Sequence, residues 1–555
     1  MAYLILGAIV AIAVYLLIHH FNKLKVKTDI DEIRRTWGQP KSESFHFVTI
    51  SRYADVVKQK FHRLTDQTIE DIDFHRLFTF IDRTTSKVGQ QFLFKKVVEP
   101  TDLREDPSEK FVQLFAKDKE LREEVQVDLL RLSKPDAYYI SSLLYDRFFV
   151  QEPKWLNLVP IDIVIVTCLL VLSFLFPGLL IILIFPMTLN MFLHYLNKSN
   201  TLQFTRSIPQ LNLLINISKR LLNKKSEFFY DQSVADSISQ LKSFQRKASF
   251  IKFENEDLVQ AELGQIGTYF MEILKSFFLI EVVMFFKVMQ ELKDKQQAIV
   301  TLFNYVGNID ASISVASLRA GELKTCQPLL TSAKKEIVVK NIYHPLIKNC
   351  VQNNLTIRNK SVLITGSNMS GKSTFLRTLT INSILAQTIH TCFADEYISP
   401  VVKQFSSIRI DDSVFEGKSY YFQEVTTMAS LLEAIDLPHQ NLFVLDEVFK
   451  GTNTVERISA AKAILSYLNK NDNLVVVSTH DIELADMLKG EYDLHHFTET
   501  IEDDTLHFDH TIKPGQVTTS NAIRILELSN YPTAIIKEAR QISTALRTAK
   551  EISER

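Results

Sequence analysis

The chain has 555 residues, of which 46% are hydrophobic and 23% charged, so it can form two to four domains with cores of their own. Its 63 Lys and Arg residues are balanced by 64 Asp and Glu residues, which excludes a global electrostatic attraction to nucleic acid. Its four cysteines are far apart in sequence, which argues against a disulfide framework or a zinc site and favours a reducing compartment. A mean hydropathy of +0.02 in so charged a chain indicates that the apolar residues are concentrated in blocks.

The first apolar block runs from Ala2 to Ile18 without a charged residue, a length that suits a membrane span. Lysines follow this block instead of preceding it, which is unlike a secretory signal. We therefore predict a retained transmembrane anchor over residues 1–22, with its carboxyl side in the cytoplasm. A buried helix of a soluble core is the alternative. Residues 23–154 are predicted to be a cytoplasmic helical region.

The second apolar block, Ile163 to Leu189, has the pair Pro177-Gly178 at its centre. Its composition allows either one long span or a hairpin of two helices that turns at this pair. A single span would export everything after it, including residues 366–373, whose pattern G-x-x-x-x-G-K-S is typical of an ATP site, and ATP chemistry belongs inside the cell. We therefore predict a transmembrane hairpin over residues 155–197, with a shallow re-entrant hairpin as the alternative. The protein is then a multi-pass protein of the cell membrane with a cytoplasmic ATPase domain.

Residues 198–335 are predicted to form a helical core and lever. Within them, Phe277 to Phe286 is a short apolar stretch interrupted by a glutamate, which favours a core helix over a further membrane span. The basic residues Lys219-Arg220 and Lys224-Lys225 could contact phosphates. A juxtamembrane position near anionic lipid, or a solvated helix face, explains them better.

A phosphate-binding loop is the strongest motif of the chain. The segment Gly366 to Thr374 fits the pattern G-x-x-x-x-G-K-S, follows the strand-like run Ser361 to Ile364 and precedes a helical stretch. Such a loop closes its backbone N–H groups around phosphate oxygens, so we predict binding of ATP and Mg²⁺. Lys372 would reach the terminal phosphates and Ser373 would offer its hydroxyl to the metal. The predicted nucleotide-binding residues are Gly366, Ser367, Asn368, Met369, Ser370, Gly371, Lys372, Ser373 and Thr374.

Two later strands end in residues suited to ATP hydrolysis. The apolar run 441–445 ends in Asp446 and Glu447, and we expect it to lie beside the loop's strand in a parallel sheet. Asp446 would hold the metal through water, and Glu447 would orient or deprotonate the attacking water. The run 473–477 is followed by His480, which could contact the γ-phosphate and sense its loss.

Taken together, these motifs resemble those of the MutS family of ABC-type ATPases. Residues 365–374 are similar to the family's T-G-x-N-x-x-G-K-S-T loop, residues 446–454 to its D-E-x-x-x-G-T-x-T segment, and residues 478–480 to its S/A-T-H. Residues 417–424 resemble its G-x-S-x-F-x-x-E signature, displaced by one residue after the serine. Residues 80–100 look like the opening of the family's helical core domain.

The resemblance implies an α/β P-loop ATPase domain of the ABC/MutS type at residues 336–515, joined to an all-α core and lever domain and to the transmembrane helices. It implies that Ser419 faces the γ-phosphate bound by a partner subunit, so that ATP is bound at composite sites of a homodimer. Residues 516–555 resemble the family's helix-turn-helix dimerisation segment. The implied catalytic residues are Glu447, Lys372, Ser419 and His480, and the implied metal ligands are Ser373 and Asp446.

The chain also departs from the mismatch-reading members of the family. Those carry a large amino-terminal domain with a Phe-x-Glu wedge, whereas only residues 23–70 separate the anchor from the core here, and they contain no Phe-x-Glu. The membrane hairpin takes the place of the family's DNA clamp. One hypothesis is a membrane-anchored ATPase with the family role in DNA mismatch or structure binding and repair. The other is an ATP-driven switch that acts on the membrane or on a protein partner without DNA. An ABC transporter is disfavoured because its L-S-G-G-Q signature is absent.

Overall fold

The computed structural model describes residues 2–57, 61–144, 153–251, 277–367, 369–409, 420–436, 438–449, 452–502, 505–516, 522–528 and 531–553. The chain divides into two compact units. The first contains Met1–Lys58, Ile81–Lys95 and Pro107–Ala320, and the second contains Gln59–Phe80, Lys96–Asp106 and Gly321–Arg555. The two units are described separately below.

The described elements of the first unit are helices. Its α-helices span Ala2–Thr36, Phe47–Ile50, Arg52–Val56, Lys87–Val98, Glu109–Lys117, Lys119–Leu129, Val159–Ser173, Leu179–Leu222, Gln232–Gln240, Lys242–Ile251, Ile280–Lys293 and Gln296–Arg319. Its 3-10 helices span Leu130–Leu132, Pro135–Leu144, Lys154–Leu158 and Glu227–Phe229.

Asp310 organises the core of the first unit. It lies on the helix Gln296–Arg319, is fully buried, and accepts hydrogen bonds from the backbone N–H groups of Thr85 (2.8 Å) and Ser86 (2.7 Å) and from the Ser86 hydroxyl (2.6 Å). These donors immediately precede the helix Lys87–Val98, whose first N–H groups have no partner within the helix itself. The segment that resembles the opening of the MutS core domain is therefore fixed by a buried carboxylate 224 residues away.

The predicted membrane hairpin corresponds to the helices Val159–Ser173 and Leu179–Leu222, which are separated by residues 174–178. Among the described residues, three helical segments are long and apolar enough to cross a membrane: Lys154–Ser173, Leu179–Leu196 and Gln296–Arg319. Only 17% of each of the first two is buried, whereas 72% of the third is buried in the protein. The predicted anchor, residues 1–22, lies on the helix Ala2–Thr36. The predicted hairpin boundary at residue 197 falls inside a helix that continues to Leu222.

The other two features of this region have structural roles. The helix Ile280–Lys293 contains the end of the apolar stretch from Phe277, and it buries Phe285 and Phe286, as expected for a core helix. Two of the basic residues near position 220, Arg220 and Lys224, are paired with acids. Arg220 donates to Asp128 at 2.8 Å, and Lys224 lies 3.7 Å from the same carboxylate.

The second unit contains the sheets. Its strands are β1 Leu329–Thr331, β2 Glu336–Ile342, β3 Asn353–Arg358, β4 Ser361–Thr365, β5 Glu396–Pro400, β6 Val402–Ser407, β7 Gln440–Asp446, β8 Leu474–Ser478, β9 Tyr492–His496, β10 Glu499–Glu502, β11 Thr505–Phe508 and β12 Lys513–Pro514. Its α-helices span Asp66–Asp71, Phe74–Ile81, Lys372–Thr388, Tyr420–Glu433, Thr454–Leu468, Ile482–Leu488, Ala522–Leu528 and Thr533–Ser553, with a 3-10 turn at Ala434–Asp436.

The main sheet has the order β12-β9-β4-β8-β7-β6, and its strands from β9 to β6 are parallel. The expectation that the strand ending in Asp446 lies beside the loop's strand is wrong in this detail, because β8 lies between β4 and β7. The carboxyl ends of these three parallel strands still meet at one edge of the sheet. Strands β4, β7 and β8 are almost fully buried, as their continuous apolar sequences require.

Residues 59–80 and 96–106 also belong to the second unit, although the sequence placed them in a helical region over 23–154. Asp71 explains the attachment of the first segment. Its buried carboxylate accepts hydrogen bonds from the Ser406 hydroxyl (2.6 Å) and from the backbone N–H groups of Ile408 (3.0 Å) and Arg409 (2.7 Å). The Leu64 N–H donates to the Val98 carbonyl at 2.9 Å, which joins the two segments.

Candidate functional site

The phosphate-binding loop connects β4 to the helix Lys372–Thr388, with Gly371 at the helix N-cap. Gly366 and Gly371 both have positive φ angles, +145° and +116°. At Gly366 a side chain is also excluded by space, because a Cβ atom there would lie 2.7 Å from the Phe497 carbonyl oxygen. The loop can therefore adopt this path only with glycine at position 366.

Hydrogen bonds within the loop hold its shape. The Lys372 ammonium donates to the carbonyl oxygens of Gly366 (2.7 Å) and Ser367 (2.8 Å), and the Ser370 hydroxyl donates to the Ser367 carbonyl (2.8 Å). His510 lies on the other side of the loop, with Nδ1 3.0 Å from the Ser370 carbonyl oxygen. Lys372 is thus at the centre of the loop, where it can move from carbonyl oxygens to phosphate oxygens.

Asp446 and Ser373 meet at the sheet edge. The Asp446 carboxylate accepts hydrogen bonds from the hydroxyl of Ser373, at the start of the loop's helix, and from the hydroxyl of Ser478, at the end of β8. A carboxylate and a hydroxyl are both hard oxygen donors of the kind that Mg²⁺ prefers. The intervening strand β8 therefore contributes directly to the position of Asp446.

Glu447 is paired with His480. Its Oε1 lies 3.2 Å from Nδ1 of His480, and its backbone N–H donates to the Ser478 carbonyl at 3.0 Å. Glu447 has a positive φ of 52°, a conformation that non-glycine residues rarely adopt and that is frequent at functional sites. The hydrogen bond to Glu447 raises the pKa of His480 above its usual value, against the opposite effect of partial burial.

One cavity of about 520 Å³ collects these groups. Its polar end contains Lys372, Ser373, Asp446 and Glu447, and other parts of its wall are apolar or uncharged. The remaining lining residues are Ile342, Ile347, Asn349, Cys350, Val351, Asn353, Ser367, Met369, Gly371, Thr374, Phe375, Thr378 and His510. The volume lies within the range of small-molecule sites.

A nucleotide with Mg²⁺ fits this donor set. Among the described residues of the wall, Lys372 is the one that carries an amine, and the two carboxylates with the Ser373 hydroxyl lie at the same end. Apolar side chains such as Ile342 and Val351 offer a surface for a base at a distance from the charges. The residues present therefore suit a ligand that is polyanionic at one end and flat and apolar at the other.

Comparison with known proteins bears on the same region. Residues 362–547 match the family model of MutS domain V, and this span contains β4, the phosphate-binding loop, Asp446, Glu447 and His480. We call residues 362–547 the MutS domain because of this similarity.

Curated relatives of this chain include proteins named DNA mismatch repair protein MutS. The protein of Caldanaerobacter subterraneus is 30% identical over 285 residues, which cover 48% of this chain and 32% of the relative. That of Lactobacillus delbrueckii is 34% identical over 250 residues, 42% of this chain and 29% of the relative. That of Carboxydothermus hydrogenoformans is 28% identical over 335 residues, 58% of this chain and 39% of the relative. The matched part therefore spans about a third of the length of these relatives.

The structure of the MutS domain brings together most of the site residues predicted from the sequence. Of the predicted loop residues, Ser367, Met369, Gly371, Lys372, Ser373 and Thr374 line the cavity. Gly366 packs against Phe497, and Ser370 is buried behind the loop. His480 reaches the cavity through Glu447. Asn368 and Ser419 lie outside the described residues, as do residues 517–521, 529–530 and 554–555 of the predicted dimerisation segment.

The sequence did not indicate the wall of the MutS-domain cavity that faces away from the loop. Asn353 is one of the residues that line this wall. Asn353 accepts from the Ile512 N–H (2.8 Å) and donates to the His510 carbonyl (3.0 Å). The signal that could have located it is strand alternation, since Asn353 begins β3 on the buried face, next to the exposed Asn354.

Proposed function

We propose that this chain binds ATP with Mg²⁺ and hydrolyses it at the cavity of its MutS domain. The observation that carries the proposal is the convergence of Lys372, Ser373, Asp446 and Glu447 on one cavity at the carboxyl edge of a parallel sheet. Ligands of open α/β sheets bind at this edge. A lysine, a hydroxyl and two acids in this arrangement match what phosphoryl transfer to water requires.

Each residue has a role that follows from its position. Ser373 and Asp446 would hold Mg²⁺, which when bound neutralises charge on the phosphate oxygens. Lys372 would exchange its carbonyl partners for terminal phosphate oxygens. Glu447 would accept the proton of the attacking water, and His480, hydrogen-bonded to Glu447, would orient that carboxylate.

Replacing Glu447 tests the proposal. The E447Q variant keeps the size of the side chain but removes the base, so ATP hydrolysis should fall by about a hundredfold or more while ATP binding is retained. E433Q is the matched control, because Glu433 is exposed at the end of the helix Tyr420–Glu433 and should leave hydrolysis unchanged. Hydrolysis by E447Q at the parent rate would show that Glu447 is not the base.

We further propose that the sites are composite and that ATP holds two subunits together, with Ser419 facing the partner's nucleotide. The support is the resemblance of residues 417–424 to the family signature and the match of the whole domain. E447Q should then accumulate as an ATP-bound dimer in light scattering of the detergent-solubilised chain. S419A should abolish both this dimer and hydrolysis, and a monomeric E447Q in saturating ATP would exclude the composite site.

Membrane anchoring is the next part of the proposal. It is supported by the apolar side chains that the hairpin exposes, among them Phe174 (84% exposed), Ile181 (74%) and Phe185 (73%). Soluble proteins rarely expose large apolar side chains next to one another in this way. The hairpin has one buried polar connection, in which the Asn190 amide donates to Asp162 at 2.6 Å and to the Phe277 carbonyl at 2.8 Å. Extraction of the protein by carbonate into the soluble fraction would refute the anchor.

There are two candidates for the ligand or partner on which the ATPase acts. The relatives are named as DNA mismatch repair proteins, which favours a DNA mismatch or DNA structure. The alternative is a switch that acts on the membrane or on a protein partner. One observation favours it: the helix Leu179–Leu222 runs from the hairpin turn into the core of the first unit, where Leu211, Leu214 and Ile215 are fully buried. The Arg220 and Lys224 side chains, moreover, are engaged by Asp128.

DNA-stimulated ATPase activity in detergent separates the two. Homoduplex, mismatched and branched DNA should each be added to the full-length chain at several salt concentrations, because phosphate contacts weaken steeply with salt. Stimulation that falls with salt supports the DNA role. An ATPase rate unchanged by all three DNAs, without salt-sensitive binding, supports the membrane or protein partner instead.

A further inference from the structure

A carboxylate of the second unit reaches the phosphate-binding loop from outside the motif. Glu499 begins β10, and its Oε2 accepts a hydrogen bond of 2.6 Å from the hydroxyl of Ser367. Ser367 lines the nucleotide cavity. A negative charge is therefore placed against a loop whose expected ligand is an anion.

The contact is held from both sides. On the Glu499 side, Phe497 lies two residues earlier in the chain and is fixed to the loop. Its N–H donates to the Thr365 carbonyl at 2.9 Å, and its carbonyl oxygen lies against Gly366. On the loop side, the Ser367 carbonyl accepts from both Lys372 and Ser370 at 2.8 Å. Ser367 thus links Glu499 by its side chain to the phosphate-binding lysine by its backbone.

We propose that the Glu499 carboxylate, held against the loop by Ser367, is a selectivity-determining residue that disfavours a nucleoside triphosphate relative to a diphosphate. This inference rests on the proposed nucleotide binding and adds the regulation of that same site. The physical reason is that repulsion grows with the ligand's charge. With magnesium a triphosphate carries about one negative charge more than a diphosphate, so the same carboxylate opposes it more strongly.

The size of the effect follows from Coulomb's law. At a separation of about 10 Å in a water-like dielectric, one carboxylate weakens binding of a ligand of charge −2 about fourfold and of charge −1 about twofold. The parent protein would then prefer the triphosphate about twofold less than a protein without this charge. At about 10 mM ionic strength the screening length is about 30 Å, so most of the effect remains, whereas at about 1 M it is about 3 Å and the effect disappears.

The experiment measures dissociation constants of the Mg²⁺ complexes of AMP-PNP and ADP for the full-length chain in detergent, at low and high salt. E499Q removes the charge, and its amide oxygen can still accept the Ser367 hydrogen bond. S367A removes the hydrogen bond and keeps the charge. E433Q changes the net charge by the same amount at an exposed position that does not line the cavity, so it controls for the overall charge of the protein.

At low salt, E499Q should bind AMP-PNP about fourfold and ADP about twofold more tightly than the parent, and both gains should vanish at high salt. S367A releases the carboxylate from the loop, so it should shift the ratio of the two constants in the same direction as E499Q but by less. E433Q should keep the parent's ratio. If E499Q has the parent's ratio, or if E433Q shifts the ratio as far as E499Q, the Glu499 charge is not the selector and the inference is wrong. If the parent binds neither nucleotide, the proposed function itself fails, which is a different result.

Discussion

Gly89 gives the sharpest test of the packing in the first unit. It lies in the helix Lys87–Val98, and a Cβ atom built on it would be 2.1 Å from Oδ2, 2.5 Å from Cγ and 2.6 Å from Cβ of Asp310. In an open helix, Gly89→Ala would stabilise the protein by up to about 1 kcal/mol through helix propensity. Here the alanine must displace a buried carboxylate that accepts three hydrogen bonds from Thr85 and Ser86.

The expected net effect is destabilisation. Losing or distorting those three hydrogen bonds costs about 3–5 kcal/mol, from which the gain in helix propensity must be subtracted. G89A should therefore lower the free energy of unfolding by about 2–4 kcal/mol. The control is G490A, because nothing lies within 4 Å of a Cβ atom at that position, and it should stay within about 0.5 kcal/mol of the parent.

The assay can report on the first unit alone. The two tryptophans of the chain, Trp37 and Trp155, both belong to that unit, and the Trp37 ring packs against the Arg122 guanidinium at 3.6 Å. Urea unfolding in detergent, followed by tryptophan fluorescence, should show an earlier transition for G89A than for G490A. A G89A protein as stable as the parent, or more stable, would refute the close approach of Gly89 and Asp310.

Three further outcomes are expected. G366A should weaken AMP-PNP binding at least about tenfold, because alanine is strained at φ +145° and its Cβ would meet the Phe497 carbonyl oxygen. Binding as tight as that of the G490A control would contradict this prediction. The ATPase rate should rise with pH as His480 loses its proton, at a pKa above its usual value of 6.5, because protonated His480 holds the carboxylate of Glu447. A pH–rate profile of H480Q that still shows this rise would exclude the pairing. Burial lowers the pKa of His62 to about 4, so its contribution to stability is present above pH 6.5 and lost as pH falls towards 4. The protection of the β6 amides against hydrogen exchange, taken relative to the intrinsic exchange rate at each pH, should therefore be lower at pH 4.5 than at pH 7 in the parent but not in H62Q.

The local motifs of the site were readable from the sequence because their chemistry is contiguous. The loop from Gly366 to Thr374 needs only nine residues, and the runs before Asp446 and His480 are short and uniformly apolar, so each strand end could be located by itself. Their lateral order could not, because any parallel order places the same carboxyl ends at one edge. The order β4-β8-β7 depends on which strands pair, and the sequence carries no local signal for that choice.

Contacts between distant residues were also beyond local patterns. Ser367 and Glu499 are 132 residues apart, and Ser86 and Asp310 are 224 apart. In each case the sequence offers a serine and an acid of kinds that are abundant on protein surfaces. Only the folded backbone selects this serine and this acid from the many present. We propose that the pair Ser367–Glu499 sets nucleotide selectivity, and the pair Ser86–Asp310 fixes the start of a core helix.

The helix Leu179–Leu222 continues past residue 197, the predicted end of the hairpin. Up to residue 196 it is apolar on all sides, a pattern typical of a helix in lipid, and only 17% of that part is buried. Beyond residue 205 the buried positions recur at helical spacing, at Ile208, Leu211, Ile215 and Ser218, a pattern typical of a helix in a protein core. The change of composition that suggested a boundary is therefore a change of surroundings along one helix. With 44 residues it is about 66 Å long, so a displacement of its buried end must move or bend its exposed apolar end.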